Sequence, residues 1–154
     1  MSVQHYVCGF LFSADRAQVL LIRKRRPAWQ AGKLNGVGGK IEPTDVAPLA
    51  AMTREFREEA ALEINDWQEI LTLTAPDWHT HFYRSFGDVA AARAITDEQL
   101  EIHPTRKLPP DTIPNLRWMI PLMLDEDPVA GTAYVLHMAT AASSLGAPVP
   151  NGIA

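Results

Sequence analysis

The chain has 154 residues, of which 47% are hydrophobic and 21% charged, and its formal net charge is -4 at pH 7. This length predicts one domain that can bury roughly 70% of its unfolded surface, and the composition excludes an intrinsically disordered protein. The negative charge also argues against binding to a nucleic-acid polymer, because phosphate neutralisation requires clustered lysine and arginine.

Cysteine usage and the chain ends indicate the compartment. Cys8 is the single cysteine, so folding does not depend on an oxidising environment. The first residues lack the basic region and cleavage pattern of a signal peptide. Residues 128–154 carry no Asp, Glu, Lys or Arg, but their prolines and glycines argue against a membrane helix. We therefore expect a cytoplasmic protein without membrane partners.

The first half of the chain predicts two strands, a glycine-rich segment and a helix. Residues 3–12 and 19–22 are rich in β-branched and apolar side chains, as is typical of strands. Four glycines concentrate backbone freedom in residues 27–39. Spacings of three and four then predict an amphipathic helix from about residue 47 to 62. Its apolar stripe consists of Leu49, Met52, Phe56 and Ala60.

The second half of the chain predicts both strands and helices. Strands are expected at 70–74 and 80–86, a short helical or turn segment at 97–102, and a proline-rich loop at 103–114. A helix is expected at 115–124, although Pro121 disfavours its second half. Residues 134–138 fit a last strand or the start of a helix. We expect a single domain at 1–142 and a loosely ordered tail at 143–154.

Three glutamates of the first predicted helix suggest a metal site. Glu55, Glu58 and Glu59 follow i, i+3, i+4 spacing and share one helix face. Like charges at this spacing repel each other, whereas a hard divalent cation with oxygen ligands would make the arrangement favourable. The preceding residues 38–40, Gly-Gly-Lys, offer backbone groups and a cation for phosphate oxygens. The alternative is a solvated acidic face screened by neighbouring arginines.

The stretch from residue 38 to 62 resembles the signature of the Nudix hydrolases. That signature is Gly, five residues, Glu, seven residues, then Arg-Glu-hydrophobic-x-Glu-Glu-x-Gly-hydrophobic. The sequence REFREE at 54–59 fits it, and Gly39 and Asp45 keep the first spacing, with Asp in place of Glu. There are two further departures. Eight residues separate Asp45 from Arg54, and Ala61 stands where the family has glycine.

The resemblance implies a Nudix-type α/β/α sandwich with a mixed β-sheet and hydrolysis of a nucleoside diphosphate linked to another group. Mg²⁺ would be required, and Mn²⁺ could substitute. Glu58 and Glu59 would be metal ligands, and Glu55 a further ligand or the base that activates water. Arg54 would orient Glu55 through charge-assisted hydrogen bonding. The carbonyl group of Gly38 is a candidate additional ligand.

Candidate substrate contacts come from residues 23–40. The segment 33–40 resembles the WNGxGGK sequence of the Nudix branch that hydrolyses oxidised purine nucleotides such as 8-oxo-dGTP. There the asparagine contacts the base, so Asn35 is the candidate here, the alternative being a simple Asn-Gly turn. Gly39 and Lys40 are candidate phosphate contacts. Arg23 or Lys24, in the basic run 23–26, could also reach phosphate, although a solvated strand end is the alternative for that run.

Tryptophans are candidates for stacking on the base. Residues 115–122, NLRWMIPL, resemble the region after the base pocket in the same branch, where two acids precede the segment; here Pro114 and Asn115 occupy those places. Trp118 is a candidate stacking residue or a core tryptophan. Trp29 and Trp78 are the other stacking candidates.

Two further patterns have alternatives. His79 and His81 would point to one face of a strand, which fits a zinc pair or ordinary surface histidines. Glu98 and Glu101 lie where some Nudix enzymes supply a late acid, but they also fit an exposed turn of helix.

The expected function is a pyrophosphohydrolase that converts a purine nucleoside triphosphate into a nucleoside monophosphate and pyrophosphate. One alternative is a hydrolase of ADP-ribose or another nucleoside-diphosphate sugar. Another is a nucleotide-binding sensor without turnover. The expected partner is a small-molecule nucleotide, and both a monomer and a homodimer are compatible with the sequence.

Overall fold

The computed structural model describes residues 2–125 and 133–139, so the predicted tail at 143–154 lies outside the described residues. Within these ranges the chain forms eight strands, two α-helices and a short 3-10 helix at Val89–Ala91. The strands are β1 (Gln4–Phe12), β2 (Gln18–Arg23), β3 (Leu34–Asn35), β4 (Val37–Lys40), β5 (Gln68–Thr74), β6 (Trp78–Phe86), β7 (Gln99–Pro104) and β8 (Tyr134–His137). The helices are α1 (Pro48–Ala60) and α2 (Leu116–Met123). No described helix combines the length and apolar character needed to cross a membrane.

The strands form one mixed sheet around β1. Strand β1 runs parallel to β6 and antiparallel to β2 and β4. Strand β2 also pairs antiparallel with β3 and β7, and β5 pairs antiparallel with β6 and parallel with β8. The predicted mixed sheet is therefore confirmed, and the ambiguous segment 134–138 contains a strand.

The two faces of the sheet carry separate cores, because successive side chains of a strand point to opposite faces. On β1, Cys8 and Phe10 belong to the core that includes residues of α2, whereas Val7 and Leu11 belong to the core that includes residues of α1. One helix thus covers each face, which confirms the α/β/α arrangement.

Helix α1 is slightly shorter than predicted, and its buried stripe differs. Its buried residues are Ala51, Met52, Phe56 and Ala60. Leu49, predicted in the stripe, is 42% exposed because it lies in the first turn, beyond the core. The helix ends where Ala61 adopts a left-handed backbone with φ 55°.

Two segments differ from the sequence expectation. Residues 99–104, expected as part of a helical or turn segment and a loop, form β7 because they pair with all of β2. The glycine-rich segment contains β3 and β4. Gly38 passes so close to β1 that a Cβ atom there would overlap the carbonyl oxygen of Val7. The absence of a side chain allows this close pairing, which brings β4 beside α1.

Candidate functional site

Arg54 connects helix α1 to the loop that precedes it. Its Nε and Nη2 donate to the two carboxylate oxygens of Asp45 at 2.9 and 2.8 Å, and Nη2 also donates to the carbonyl oxygen of Lys40 at 3.1 Å. Nη1 donates to Glu55 at 3.0 Å and to Glu58 at 3.1 Å. The hydrogen bonds from Arg54 hold the pKa of Asp45 below its ordinary value. The predicted bond between Arg54 and Glu55 is therefore present in the structure.

Glu55 lies directly against β4. A Cβ atom at position 39 would be 2.5 Å from Oε1 of Glu55, so Gly39 leaves the space that this carboxylate occupies. Burial raises the pKa of Glu55, while the charge and hydrogen bond of Arg54 lower it. Glu55 is thus a partly buried carboxylate whose basicity is increased and whose position is fixed by a guanidinium group.

Glu59 faces a different set of groups. The backbone N–H of Gly38 favours the ionised form of its carboxylate, but the buried Oε2 atom has no hydrogen-bond partner among the described residues. Burial raises the pKa of Glu59 to about 7; the charge of Lys24 opposes this shift, and the charges of Glu55 and Glu98 add to it. Glu59 is therefore a carboxylate that is poorly compensated in its present surroundings.

Glu98 completes this side of the site. It is only 4% exposed, and it accepts hydrogen bonds from Nζ of Lys24 at 3.2 Å and from the backbone N–H of Arg25 at 2.5 Å. The interpretation of Glu98 as part of an exposed helical turn is wrong, since it precedes β7 and packs against the end of β2. The pairing of β7 with β2 brings this acid to the basic run.

The glutamates of α1 do not form a closed ligand set as they stand. Among the described residues, no three His, Cys, Asp or Glu side chains are grouped so that they could hold a metal ion. Arg54 binds the carboxylates of Glu55 and Glu58, whereas Glu59 faces Gly38 and Lys24. The side chain of Glu58 is 55% exposed, so it has room to turn.

The four residues of the basic run 23–26 lie in different surroundings. Arg23 is held by Glu101, by Asp111 at 2.6 Å and by the carbonyl oxygen of Gly32 at 2.8 Å. Arg25 and Arg26 are exposed and pair with Asp97, as the solvated interpretation expects. Lys24 is the member of the run whose ammonium group lies near the carboxylates of Glu98 and Glu59.

The candidate base-binding residues lie in different environments. Asn35 is fully buried in β3, where it donates to Gln30 at 3.1 Å and accepts from the N–H of Gly36 at 2.8 Å. It does not belong to an exposed turn. Trp118 is 43% exposed, so its interpretation as a core tryptophan is wrong, whereas Trp78 is a core residue.

The histidines share a face, as predicted, and a third histidine joins them. The ring of His5 lies 5.0 Å from that of His79 and 6.1 Å from that of His81, measured between centroids. Nδ1 of His81 is 2.8 Å from Glu69, so this pair explains the position of His81 without a metal.

Comparison with known families agrees with the geometry. The sequence profile of the NUDIX domain matches residues 4–134. The chain belongs to the Nudix family. The resemblance of its central motif is thereby confirmed, and we describe the protein as a Nudix hydrolase.

Solved structures of this family share the fold. The MutT NUDIX hydrolase of Burkholderia pseudomallei superposes with a TM-score of 0.67 at 18% identity, over 79% of this chain and 98% of that one. A MutT structure described for Aliivibrio salmonicida and Vibrio cholerae superposes with a TM-score of 0.64 at 20% identity, over 78% of this chain and 98% of that one. The NUDIX domain of Shewanella oneidensis NrtR, solved with ADP ribose, superposes with a TM-score of 0.60 at 18% identity, over 69% of this chain and 75% of that one. No curated protein sequence matches the chain significantly.

Proposed function

We propose that this Nudix hydrolase cleaves a purine nucleoside triphosphate to a nucleoside monophosphate and pyrophosphate with the help of Mg²⁺ or Mn²⁺. The observation that carries the proposal is Glu59, a partly buried carboxylate with one buried, unpartnered oxygen and a pKa raised to about 7. Leaving such an oxygen without a partner costs free energy, which a bound cation would recover.

The surrounding residues fit a hard divalent cation. Glu55, Glu58 and Glu59 supply carboxylate oxygens, which are the ligands that Mg²⁺ prefers, and the carbonyl group of Gly38 is our fourth proposed ligand. Glu58 can join them by turning away from Arg54, because its side chain is exposed. When bound, the cation supplies neutralisation of phosphate oxygens and a lower pKa for an attacking water.

The protein's own groups have distinct proposed roles. Arg54, anchored on Asp45, fixes the carboxylate of Glu55 so that Glu55 can accept a proton from the attacking water. Lys24 and Lys40 would bind phosphate oxygens, with Glu98 holding the ammonium group of Lys24 at the site. Arg23 and Gly39 are weaker candidates, because the first is already paired and the second faces Glu55. Asn35 and Trp118 are retained as proposed base contacts.

A second candidate substrate is ADP-ribose or a related nucleoside-diphosphate sugar. The NUDIX domain of NrtR with a similar fold was solved with ADP ribose, and Pro114 and Asn115 replace the two acids of the oxidised-purine branch. Both substrates contain the same diphosphate linkage, so the carboxylate site suits either. A sensor without turnover is the third candidate, which the intact Glu55, Glu58 and Glu59 disfavour.

A nucleotide panel tests the proposal. The full chain is incubated with 8-oxo-dGTP, dGTP, GTP, ATP and ADP-ribose in Mg²⁺ or Mn²⁺, and pyrophosphate and sugar phosphate are measured. Pyrophosphate release from a purine triphosphate supports the proposal, and cleavage of ADP-ribose alone would replace the substrate while keeping the chemistry. Absence of any product would favour the sensor. A chain ending at residue 142 tests the proposed domain boundary in the same assay.

A further inference from the structure

A pocket lies beside helix α2, which covers the face of the sheet opposite to α1. It is bounded by the turn between β1 and β2, by the end of β7 with the loop after it, and by helix α2. Its volume is about 890 Å³, which is within the range of small-molecule sites. Nothing in the proposed hydrolysis uses this pocket.

The charged groups of the pocket are mostly basic. Arg16, Arg106 and Arg117 line it together with one acid, Asp15. The carboxylate of Asp15 is occupied by the turn itself, since Oδ1 accepts from the hydroxyl of Ser13 at 2.6 Å and from the N–H of Ala17 at 3.0 Å. The chain as a whole is negative, so this local excess of guanidinium groups does not follow from composition.

Two of the guanidinium groups are oriented by backbone carbonyls. Arg16 adopts a left-handed backbone with φ 63°, stacks 4.7 Å above the ring of Phe86 and donates through Nη1 to the carbonyl oxygen of Leu124 at 2.7 Å. Arg117 donates through Nη2 to the carbonyl oxygen of Pro109 at 3.2 Å. Each guanidinium group carries five N–H donors, so further donors are available to a ligand.

Apart from Thr105, the remaining wall is apolar. Leu108, Ile120, Pro121 and Leu124 line the pocket beside the arginines. A ligand that contacts both parts therefore needs a charged end and an apolar end. Guanidinium groups bind carboxylate and phosphate through paired hydrogen bonds, and apolar surface removed from water adds affinity.

We propose that this pocket binds a small molecule in which an anionic head group, phosphate or carboxylate, is joined to an apolar body. The head group contacts Arg106 and Arg117, with Arg16 at the back of the pocket, and the apolar body packs on Leu108 and Pro121. The inference is independent of the nucleotide chemistry proposed above.

The test uses the full ¹⁵N-labelled chain, titrated with octyl phosphate, octanoate and inorganic phosphate and followed by amide chemical shifts. We expect saturable shifts at residues 104–108 and 117–124, with octyl phosphate or octanoate binding at least about tenfold more tightly than inorganic phosphate. The stronger of the two amphiphiles identifies the head group.

Two variants make the result decisive. Arg106→Ala combined with Arg117→Ala should weaken binding about tenfold or more, whereas Arg93→Ala, an exposed arginine outside the pocket, should leave it unchanged. The spectrum of each unliganded variant verifies its fold. Unchanged affinity in the double variant, shifts confined to residues 38–40 and 54–59, or no saturable binding of either amphiphile would overturn the proposal.

Discussion

Arg54 and Asp45 form a two-pronged ion pair, with both donor–acceptor distances below 3.0 Å, although the chain has one residue more between them than the Nudix signature. The loop before α1 absorbs this residue, and the shorter Asp side chain still reaches the guanidinium group. The pair fixes Arg54, and Arg54 fixes Glu55.

Breaking the ion pair between Asp45 and Arg54 should therefore slow catalysis, because Glu55 would lose its fixed position. In Asp45→Asn one acceptor and the negative charge are lost, so Arg54 is less constrained and Glu55 is less well positioned. We expect kcat to fall about tenfold and the free energy of unfolding to fall by about 1–3 kcal/mol. Steady-state kinetics and urea denaturation measure both, and an unchanged kcat would contradict the positioning role of Arg54.

Removing the charge of Glu59 should abolish most activity while the fold persists. Glu59→Gln keeps the shape of the side chain but removes a proposed metal ligand, so we expect a loss of at least about 100-fold in metal-dependent turnover. The matched control is Glu63→Gln, an exposed acid just beyond α1, which should retain full activity. Near-normal turnover in the Glu59 variant would show that the metal assignment is wrong.

The pKa of Glu59 also predicts a pH dependence of stability in the metal-free protein. Its ordinary value is 4.5 and its folded value about 7, so the folded state retains this proton to higher pH than the unfolded state. The folded state therefore loses stability as pH rises from about 4.5 to 7, by up to about 3 kcal/mol from this group.

Glu59→Gln removes this contribution. In urea denaturation with EDTA, the variant should match the wild type near pH 4.5 and exceed it by up to about 3 kcal/mol at pH 8. A difference between the two proteins that does not change with pH would contradict the burial of an ionisable, uncompensated Glu59.

The end of α1 predicts a stabilising substitution. Ala61 has φ 55°, a region that disfavours side chains with a Cβ atom. Ala61→Gly should therefore raise the free energy of unfolding by about 1 kcal/mol and the melting temperature by about 3 °C. Ala50→Gly, inside the same helix, should lower stability by about 1 kcal/mol, and equal effects of the two changes would contradict the role of φ.

The sequence predicted those features that depend on local spacing. Helix α1 and the shared face of its glutamates follow from a periodicity of 3.6, and strands β1 and β2 follow from their runs of β-branched and apolar residues. Strand β7 was missed because its partner β2 is distant in the chain and its own pattern is weakly apolar. The burial of Glu98 was missed for the same reason, since it depends on that pairing.

The alternation of side chains along β2 is a sequence signal that distinguishes Arg23 from Lys24. Leu20 and Ile22 belong to the core beneath α1, whereas Val19 and Leu21 belong to the other core. Continuing this alternation places Lys24 on the face of α1 and Arg23 on the opposite face. The period of two therefore favours Lys24 as the residue near the carboxylates, as the structure shows.

Calorimetric titration of the wild type and of Glu59→Gln with Mn²⁺ at pH 6.5, in two buffers of different ionisation enthalpy, tests the central claim most directly. We predict that the wild type binds Mn²⁺ and releases a fraction of a proton, because Glu59 must ionise to become a ligand. The variant should bind the cation much more weakly and release no proton. Equal binding by both proteins, or no uptake by the wild type with or without a non-hydrolysable nucleotide, would contradict a divalent cation site on this helix.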